Sequence, residues 1–234
     1  MAELSRTSAD HLKRHIQSFV RREGRLTPAQ KRALLTLWHV YGLGTEEEFD
    51  ADQAFPRKAP VILEIGFGDG GNLAEMALSH PEFNFLGIEV HRPGIGHLLQ
   101  ALDKNRLSNV RVFCLDAVEV LKKLIRDHSL QRINIFFPDP WPKKRHHKRR
   151  LIQPDFVTLM AKKLLPGGIL HLATDWPEYA QAMQDAIATC PQLHPIQASI
   201  VFPPRCITKY EIRGQRLGHV VTDLTYINHV DSCL

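Results

Sequence analysis

Glu64-Ile65-Gly66-Phe67-Gly68-Asp69-Gly70-Gly71 is the stretch on which the fold turns. It takes in the end of an apolar run, Val61–Ile65, and opens a segment with helical spacing, Gly71–Ser79. Gly66, Gly68 and Gly71 fit GxGxxG, and Gly66, Gly68 and Gly70 fit GxGxG. Glycines between a strand and a helix let the backbone turn tightly and approach a ligand with no Cβ in the way. The pattern alone does not separate a dinucleotide site from an S-adenosylmethionine site.

Downstream, short apolar runs recur at Phe85–Val90, Val110–Leu115, Ile133–Phe137 and Ile169–Thr174, each suited to a strand buried on both faces. Helical patterns alternate with them at Gly94–Asn105, Ala117–Asp127, Asp155–Leu165 and Glu178–Thr189. This alternation predicts an α/β fold, a parallel sheet with helices on both faces. Pro166-Gly167-Gly168 reads as a stop before the fifth strand, and 198–202 and 220–227 as two further strands at the sheet edge. Upstream, Leu12, Ile16, Phe19 and Val20 have helical spacing, with Gly24 placed to end that helix. Thr27-Pro28-Ala29-Gln30 reads as a capping box with Pro at the first helical position. Leu34, Leu35, Leu37, Trp38 and Val40 follow, and Gly42 and Gly44 end the run. The polar stretch 46–60 reads as a connector. The chain thus divides into a helical extension with connector (1–57), an α/β domain (58–228) and a tail (229–234).

Composition sets bounds. Of 234 residues, 44% are hydrophobic and 24% charged, which excludes a wholly disordered chain. No apolar run approaches the length of a membrane span, so no membrane partner is expected. The start, Met1-Ala2-Glu3-Leu4-Ser5, lacks the basic and apolar regions of a secretory signal. Cys114, Cys190, Cys206 and Cys233 show neither CxxC nor zinc-finger spacing, so no metal is expected. Scattered single thiols suit a reducing, cytoplasmic compartment, and Cys114, on an apolar strand, is expected in the core.

The positive charge is localised. Lys143-Lys144-Arg145-His146-His147-Lys148-Arg149-Arg150 holds six of the 30 Lys and Arg residues, more than the net charge of +5. Such a cluster attracts phosphates by steering and counterion release. Lys13, Arg14, Arg21, Arg22 and Arg25 form a thinner second cluster.

Carboxylates narrow the ligand. Glu64 flanks the glycine loop, Glu89 ends the second strand, and Asp116 follows the third. Strand C-termini of a parallel sheet converge on one crevice. There Glu89 suits ribose hydroxyls, Asp116 a base amine, and Glu64 a cationic ligand. A diphosphate over the loop would be repelled by Glu64, so the set favours S-adenosylmethionine over NAD. As a plainer alternative, Asp116 caps the following helix. The fourth strand runs into Phe136-Phe137-Pro138-Asp139-Pro140-Trp141-Pro142 and then the basic run. Three prolines stiffen this loop and hold Asp139 at the ligand edge, with Trp141 as a stacking face. Acid, aromatic and cations together describe a site for a nucleobase within a larger nucleic acid. Asp175, ahead of Trp176-Pro177, lies at the same edge or caps the next helix. Thr208-Lys209-Tyr210-Glu211 is uninterpretable by itself.

Glu64-Ile-Gly-Phe-Gly, Gly87-Ile88-Glu89, Phe136 through His146, Thr174-Asp175-Trp176, Thr208 through Glu211 and Arg213 through His219 together resemble the bacterial tRNA (guanine-N7-)-methyltransferase family. The Pro-Asp-Pro-Trp-Pro segment with its basic run is the most specific element. Asp69, an acid inside the glycine loop, departs from the pattern. The resemblance implies a class I methyltransferase (Rossmann-like) fold, a doubly wound, mostly parallel seven-stranded sheet with one antiparallel edge strand. It implies methylation of guanine N7 at position 46, in the tRNA variable loop, with S-adenosylmethionine as cofactor and tRNA as partner. It marks Glu64, Gly66, Gly68, Glu89, Asp116 and Asp139 as cofactor positions, with Asp139 also catalytic. It marks Lys143, Asp175, Thr208, Lys209, Tyr210 and Glu211 as substrate positions. Arg145, His146, His147, Lys148, Arg149 and Arg150 become RNA contacts. Rival readings are an exocyclic-amine methyltransferase, an NAD-dependent oxidoreductase and a non-catalytic RNA-binding module. Monomer and homodimer are not distinguished.

Overall fold

The computed structural model of the chain describes residues 24–207, 211–212, 218 and 220–229. The helical pattern around Leu12–Val20, the basic residues Lys13, Arg14, Arg21 and Arg22, and Thr208, Lys209 and Tyr210 lie outside these. The capping box forms as read: the Thr27 side chain accepts from the Gln30 N–H while the Gln30 side chain accepts from the Thr27 N–H. It starts α1 (Pro28–Thr36), and α2 (Trp38–Tyr41) follows after a break at Leu37. The connector carries a one-turn helix, α3 (Ala51–Ala54), capped by Asp50.

The alternation then runs β1 (Val61–Ile65), α4 (Gly71–Ser79), β2 (Asn84–Ile88), α5 (Arg92–Lys104), β3 (Val110–Phe113), α6 (Ala117–Lys123) and β4 (Leu130–Phe136). It continues with α7 (Pro154–Lys163), β5 (Leu164–Thr174), α8 (Pro177–Ile187), β6 (Leu193–Pro195) and β7 (Thr222–Asn228). The seven strands form one sheet in the order β3-β2-β1-β4-β5-β7-β6. β1 to β5 are parallel, and β7 runs antiparallel to both β5 and β6 at one margin. The order reverses between β1 and β4, which makes a crevice at the C-terminal ends of the strands.

Three local expectations are corrected. Residues Ala198–Ile200 form a 3-10 turn rather than a strand, and the edge strand is Leu193–Pro195. Pro166-Gly167-Gly168 does not stop the chain before β5. Leu164 pairs with Leu130 and Ile169 with Arg132, so these residues lie in a bulge within the strand. Cys114 is half-buried past the end of β3 rather than in the core.

Strand alternation divides the core. Leu63, Ile65, Ile133, Ile135, Leu170 and Leu172 face α6, α7 and α8, where they meet Val120, Leu121, Phe156, Met160 and Met183. On the opposite face, Ile62, Phe85, Val110 and Val112 meet Leu73 and Met76 of α4, Ile95 and Leu98 of α5, and Ala33 of α1. That second face is apolar only under β1 to β3. Under β4 and β5 it presents Arg132, Asn134 and His171, all buried. The strap around Pro203 to Cys206 covers them: Arg132 donates to the Pro203 carbonyl and Val201 is buried beside it in sequence.

Candidate active site

A cavity of about 650 Å³ opens at the C-terminal ends of β1, β2 and β4. Gly66, Gly68, Glu89, His91, Phe136, Asp139 and Trp141 are among its lining residues. Gly66 and Gly68 have φ of 73° and 60°, the left-handed region where a Cβ is strained. A Cβ on Gly66 would meet no protein atom, because that space belongs to the cavity. The loop is closed by Gly94 of α5: a Cβ there would stand 1.9 Å from the Gly68 carbonyl oxygen. This glycine lies outside the motif, and no local signal in the sequence marks it.

Glu89 is fixed by three backbone donors. Gly68 N–H donates to Oε2 at 2.9 Å, and the N–H groups of Val90 and His91 donate to Oε1 at 2.7 and 2.9 Å. Oε1 is filled by its two donors, and Oε2, with one, keeps acceptor capacity for a ligand hydroxyl. Asp69 forms a local turn, its Oδ1 accepting from Gly71 N–H at 3.1 Å. Asp116 caps α6, accepting from Val118 N–H at 2.7 Å, while its neighbours Leu115 and Ala117 line the cavity.

Glu64 is buried at the end of β1 and is not among the residues that line the cavity. Strand alternation puts it on the α4 face, where it is 4% exposed. Asn72 Nδ2 donates to it at 2.7 Å from the first turn of α4. Burial pushes its carboxyl up to about 7, against the opposing pull of Asn72 and of the Arg132 charge. The Asn72 bond ties the end of β1 to the first turn of α4.

The 137–142 loop carries Asp139 and Trp141 into the cavity wall. Phe137 and Trp141 both have positive φ, 51° and 43°, a rare state for bulky residues and one that costs roughly 1–3 kcal/mol each. Arg150 holds the strained loop. Its Nε donates to the Pro140 carbonyl at 2.9 Å, and its two terminal nitrogens donate to Glu178 at 3.0 and 2.5 Å. Its guanidinium also lies 4.7 Å from the Tyr179 ring centroid. Arg150 is 5% exposed, so it is a buried anchor and not an RNA contact, a correction to the reading of the basic run.

The rest of that run forms a 3-10 helix, Lys144–Arg149, behind an exposed Lys143. Lys144, Arg145, Lys148 and Arg149 are exposed, while His146 and His147 are half-buried. Arg149 lies 5.0 Å over the Trp141 ring and His146 stands edge-on to it at 5.8 Å. Slight burial, then the charges of Arg145, Arg149, Lys143 and Lys148, depress His146 below the usual histidine range. Asp175 ends the loop after β5, one residue ahead of the N-cap, Trp176, so it is not the cap of α8. Glu211, the described member of its tetrad, is buried against Arg205. Among the described residues no helix is long and apolar enough to cross a membrane, and no group of three or more His, Cys, Asp or Glu is placed to hold a metal.

Comparison with known proteins agrees with this architecture. A family model described as a putative methyltransferase matches residues 58–224. A tRNA (guanine-N(7)-)-methyltransferase of Alkalilimnicola ehrlichii is 56% identical over 92% of this chain and 93% of its own. The same-named protein of Halorhodospira halophila is 51% identical over 91% and 95%. Among solved structures, the 16S rRNA methyltransferase KamB covers 82% of this chain and 99% of its own, with TM-score 0.56 at 16% identity. A 16S rRNA (adenine(1408)-N(1))-methyltransferase of Catenulisporales acidiphilia, solved with its cosubstrate SAM, covers 80% and 95%, with TM-score 0.52 at 14% identity. At such identities these two show the fold alone.

Proposed function

Because the chain belongs to the tRNA (guanine-N(7)-)-methyltransferase family, we propose that it methylates N7 of the variable-loop guanosine, position 46, of cytoplasmic tRNA. S-adenosylmethionine is the methyl donor. The observation that carries this reading is one cavity wall shared by Gly66, Gly68, Glu89 and the Asp139–Trp141 loop, continuous with an exposed cationic 3-10 helix. The cavity size suits a nucleoside-sized cofactor. The open space beside Gly66 leaves room for close approach, and Oε2 of Glu89 suits a ribose hydroxyl.

When bound, S-adenosylmethionine supplies an electrophilic methyl group on a sulfonium sulfur. Guanine N7 carries an in-plane lone pair and no proton, so this chain needs no general base to activate it. Its task is to align the base and keep water out. The methylated ring is cationic, and Asp139, a carboxylate in the cavity wall, stabilises that charge as it develops. The same carboxylate is suited to accept from the N1–H and amine of guanine, which adenine does not present, giving base selectivity. Glu89 and the glycine loop hold the cofactor, with Asp116 at the rim. Lys143, Asp175, Thr208, Lys209, Tyr210 and Glu211 are assigned to the substrate. Lys144, Arg145, Lys148 and Arg149 take phosphates, with His146 and His147 beside them.

The test is incubation with methyl-labelled S-adenosylmethionine and unmodified tRNA transcript, followed by digestion and nucleoside identification. Label in 7-methylguanosine is expected, and loss of label on replacing guanosine 46 checks the position. Label in N6-methyladenosine or another exocyclic-amine product would overturn the base chemistry. No label despite tRNA binding would favour a binding module.

A further inference from the structure

The glycine loop rests on one face of α5. Gly94, His97 and Leu98 stand at positions i, i+3 and i+4 of that helix, which places them side by side. Gly68, Asp69 and Gly70 meet them in the same order. A Cβ on Gly94 would stand 1.9 Å from the Gly68 carbonyl oxygen, so the helix backbone touches the loop there. His97 Nδ1 lies 2.7 Å from the Asp69 carbonyl oxygen. A Cβ on Gly70 would stand 2.6 Å from Leu98 Cβ. Two of these contacts are close packing, and the middle one is a hydrogen bond. The carbonyl only accepts, so Nδ1 carries the proton and donates.

Gly94 and Leu98 are buried, whereas His97 is exposed, so burial alone does not force its ring onto the loop. Asp69, the acid inside the glycine loop, is held at two points. Its Oδ1 accepts from Gly71 N–H at the start of α4, and its carbonyl accepts from His97 in the second turn of α5. The N-cap of α4, Gly70, has no side chain with which to cap the helix. Asp69 thus joins the two helices that flank the loop. Gly70 has φ of 76°, and glycine populates both signs of φ about equally, so the 69–70 peptide plane is a point where the loop can turn over. The His97 bond opposes that rotation. Gly66 and Gly68 line the cavity, while Asp69, Gly70 and His97 are not among its lining residues. The bond therefore lies outside the site whose wall it steadies.

We infer that His97 is a positioning residue for the cofactor: its donation to the Asp69 carbonyl holds the glycine loop in its binding conformation before the ligand arrives. This rests on the cofactor role given to the loop above. Order already present in the free protein is order that binding does not have to supply, so the bond is read out as affinity for S-adenosylmethionine. A single solvent-facing hydrogen bond has a modest net value, so the effect is small and selective.

The test compares His97→Ala, which removes the donor, with His97→Asn, whose amide nitrogen falls close to the place of Nδ1. His97 is exposed, so both variants should fold. Each is read in the full chain by equilibrium binding of S-adenosylmethionine and by steady-state kinetics with tRNA. His97→Ala should raise the Kd and KM for S-adenosylmethionine about three- to tenfold, with KM for tRNA within about twofold of wild type. His97→Asn should restore the cofactor Kd to within about twofold of wild type. The Gly70 amide, which donates to the Phe67 carbonyl inside the loop, should exchange hydrogen about threefold faster or more in the alanine variant without ligand, and at the wild-type rate in the asparagine variant. Unchanged cofactor affinity in His97→Ala overturns the inference. So does equal weakening in both variants, which assigns the effect to the packing of the ring, and so does a parallel rise in both KM values, which marks a general scaffold residue. A wild-type chain that does not bind S-adenosylmethionine overturns the cofactor role of the loop instead, and that is seen before any variant is compared.

Discussion

The two halves of one sheet face solve the same burial problem by opposite chemistry. Under β1 to β3 the face is covered by α4 and α5 and filled with Ile62, Phe85, Leu73 and Leu98. Under β4, β5 and β7 an irregular strap covers it, and the interior holds Arg132, Asn134, His171 and Asp223. An apolar half gains its stability without regard to direction and tolerates some repacking. In the polar half Arg132, His171 and Asp223 take partners at set geometries, which fixes the strap. The apolar half backs the loop proposed to hold the cofactor, and the polar half is covered by the described strap around Pro203 to Cys206.

The seam between the halves carries the largest expected effect. Asp139→Asn should lower turnover about a hundredfold or more while leaving cofactor affinity within about threefold. Steady-state kinetics and equilibrium binding would separate the two, and near-normal turnover would remove Asp139 from the chemistry. Glu64, the buried acid at the end of β1, should make stability fall as pH rises from about 4.5 to about 7. Its carboxyl is raised from 4.5 to about 7 in the folded chain, so the fold holds a proton that the unfolded chain releases. The contribution is present in full below about 4.5 and is lost as pH rises through about 7, by roughly 3 kcal/mol in all. Denaturant unfolding of wild type and Glu64→Gln at pH 5 and pH 8 should show the wild type losing stability relative to the variant. Parallel profiles would mean the carboxyl is not held protonated.

Within the apolar half, Gly94→Ala forces a methyl group against the Gly68 carbonyl. A loss of about 2 kcal/mol in stability, with weaker S-adenosylmethionine binding, should follow. Wild-type cofactor affinity in that variant would show that the glycine loop can shift freely. The smallest effects separate two adjacent arginines. Arg150→Ala should lower the melting temperature, because it removes the Glu178 pair and the Pro140 contact. Arg149→Ala should leave melting nearly unchanged but lower the log–log salt slope of tRNA binding by roughly 0.7–0.9. The reverse pattern would overturn the division of the basic run.

Legibility followed the same divide. β1, α4 and the glycine loop could be read because a period-2 run, a glycine cluster and a period-3.6 run follow one another within a short stretch of chain. The capping box at Thr27 through Gln30 is legible for the same local reason. The burial of Glu64 and its bond to Asn72 are not legible locally, because they depend on how α4 packs against β1. Arg150 was indistinguishable from Arg149 in a run of cations, since its partners Glu178 and Pro140 are set by tertiary folding. Arg132, His171, Arg205 and Asp223 sit far apart in the chain, and no local pattern announces that they meet.

The contact between Arg149 and Trp141 turns base recognition into an exchange reaction. In the protein alone, the indole face already carries a guanidinium at 5.0 Å. A base arriving there gains roughly 1–3 kcal/mol of stacking but displaces a cation–π contact of roughly 0.5–1 kcal/mol. The net gain is the difference. A released Arg149 can recover the loss only if a phosphate lies within its reach. An isolated nucleobase therefore meets a standing competitor at Trp141, whereas a base still attached to its polyanion brings the ligand that draws the competitor off.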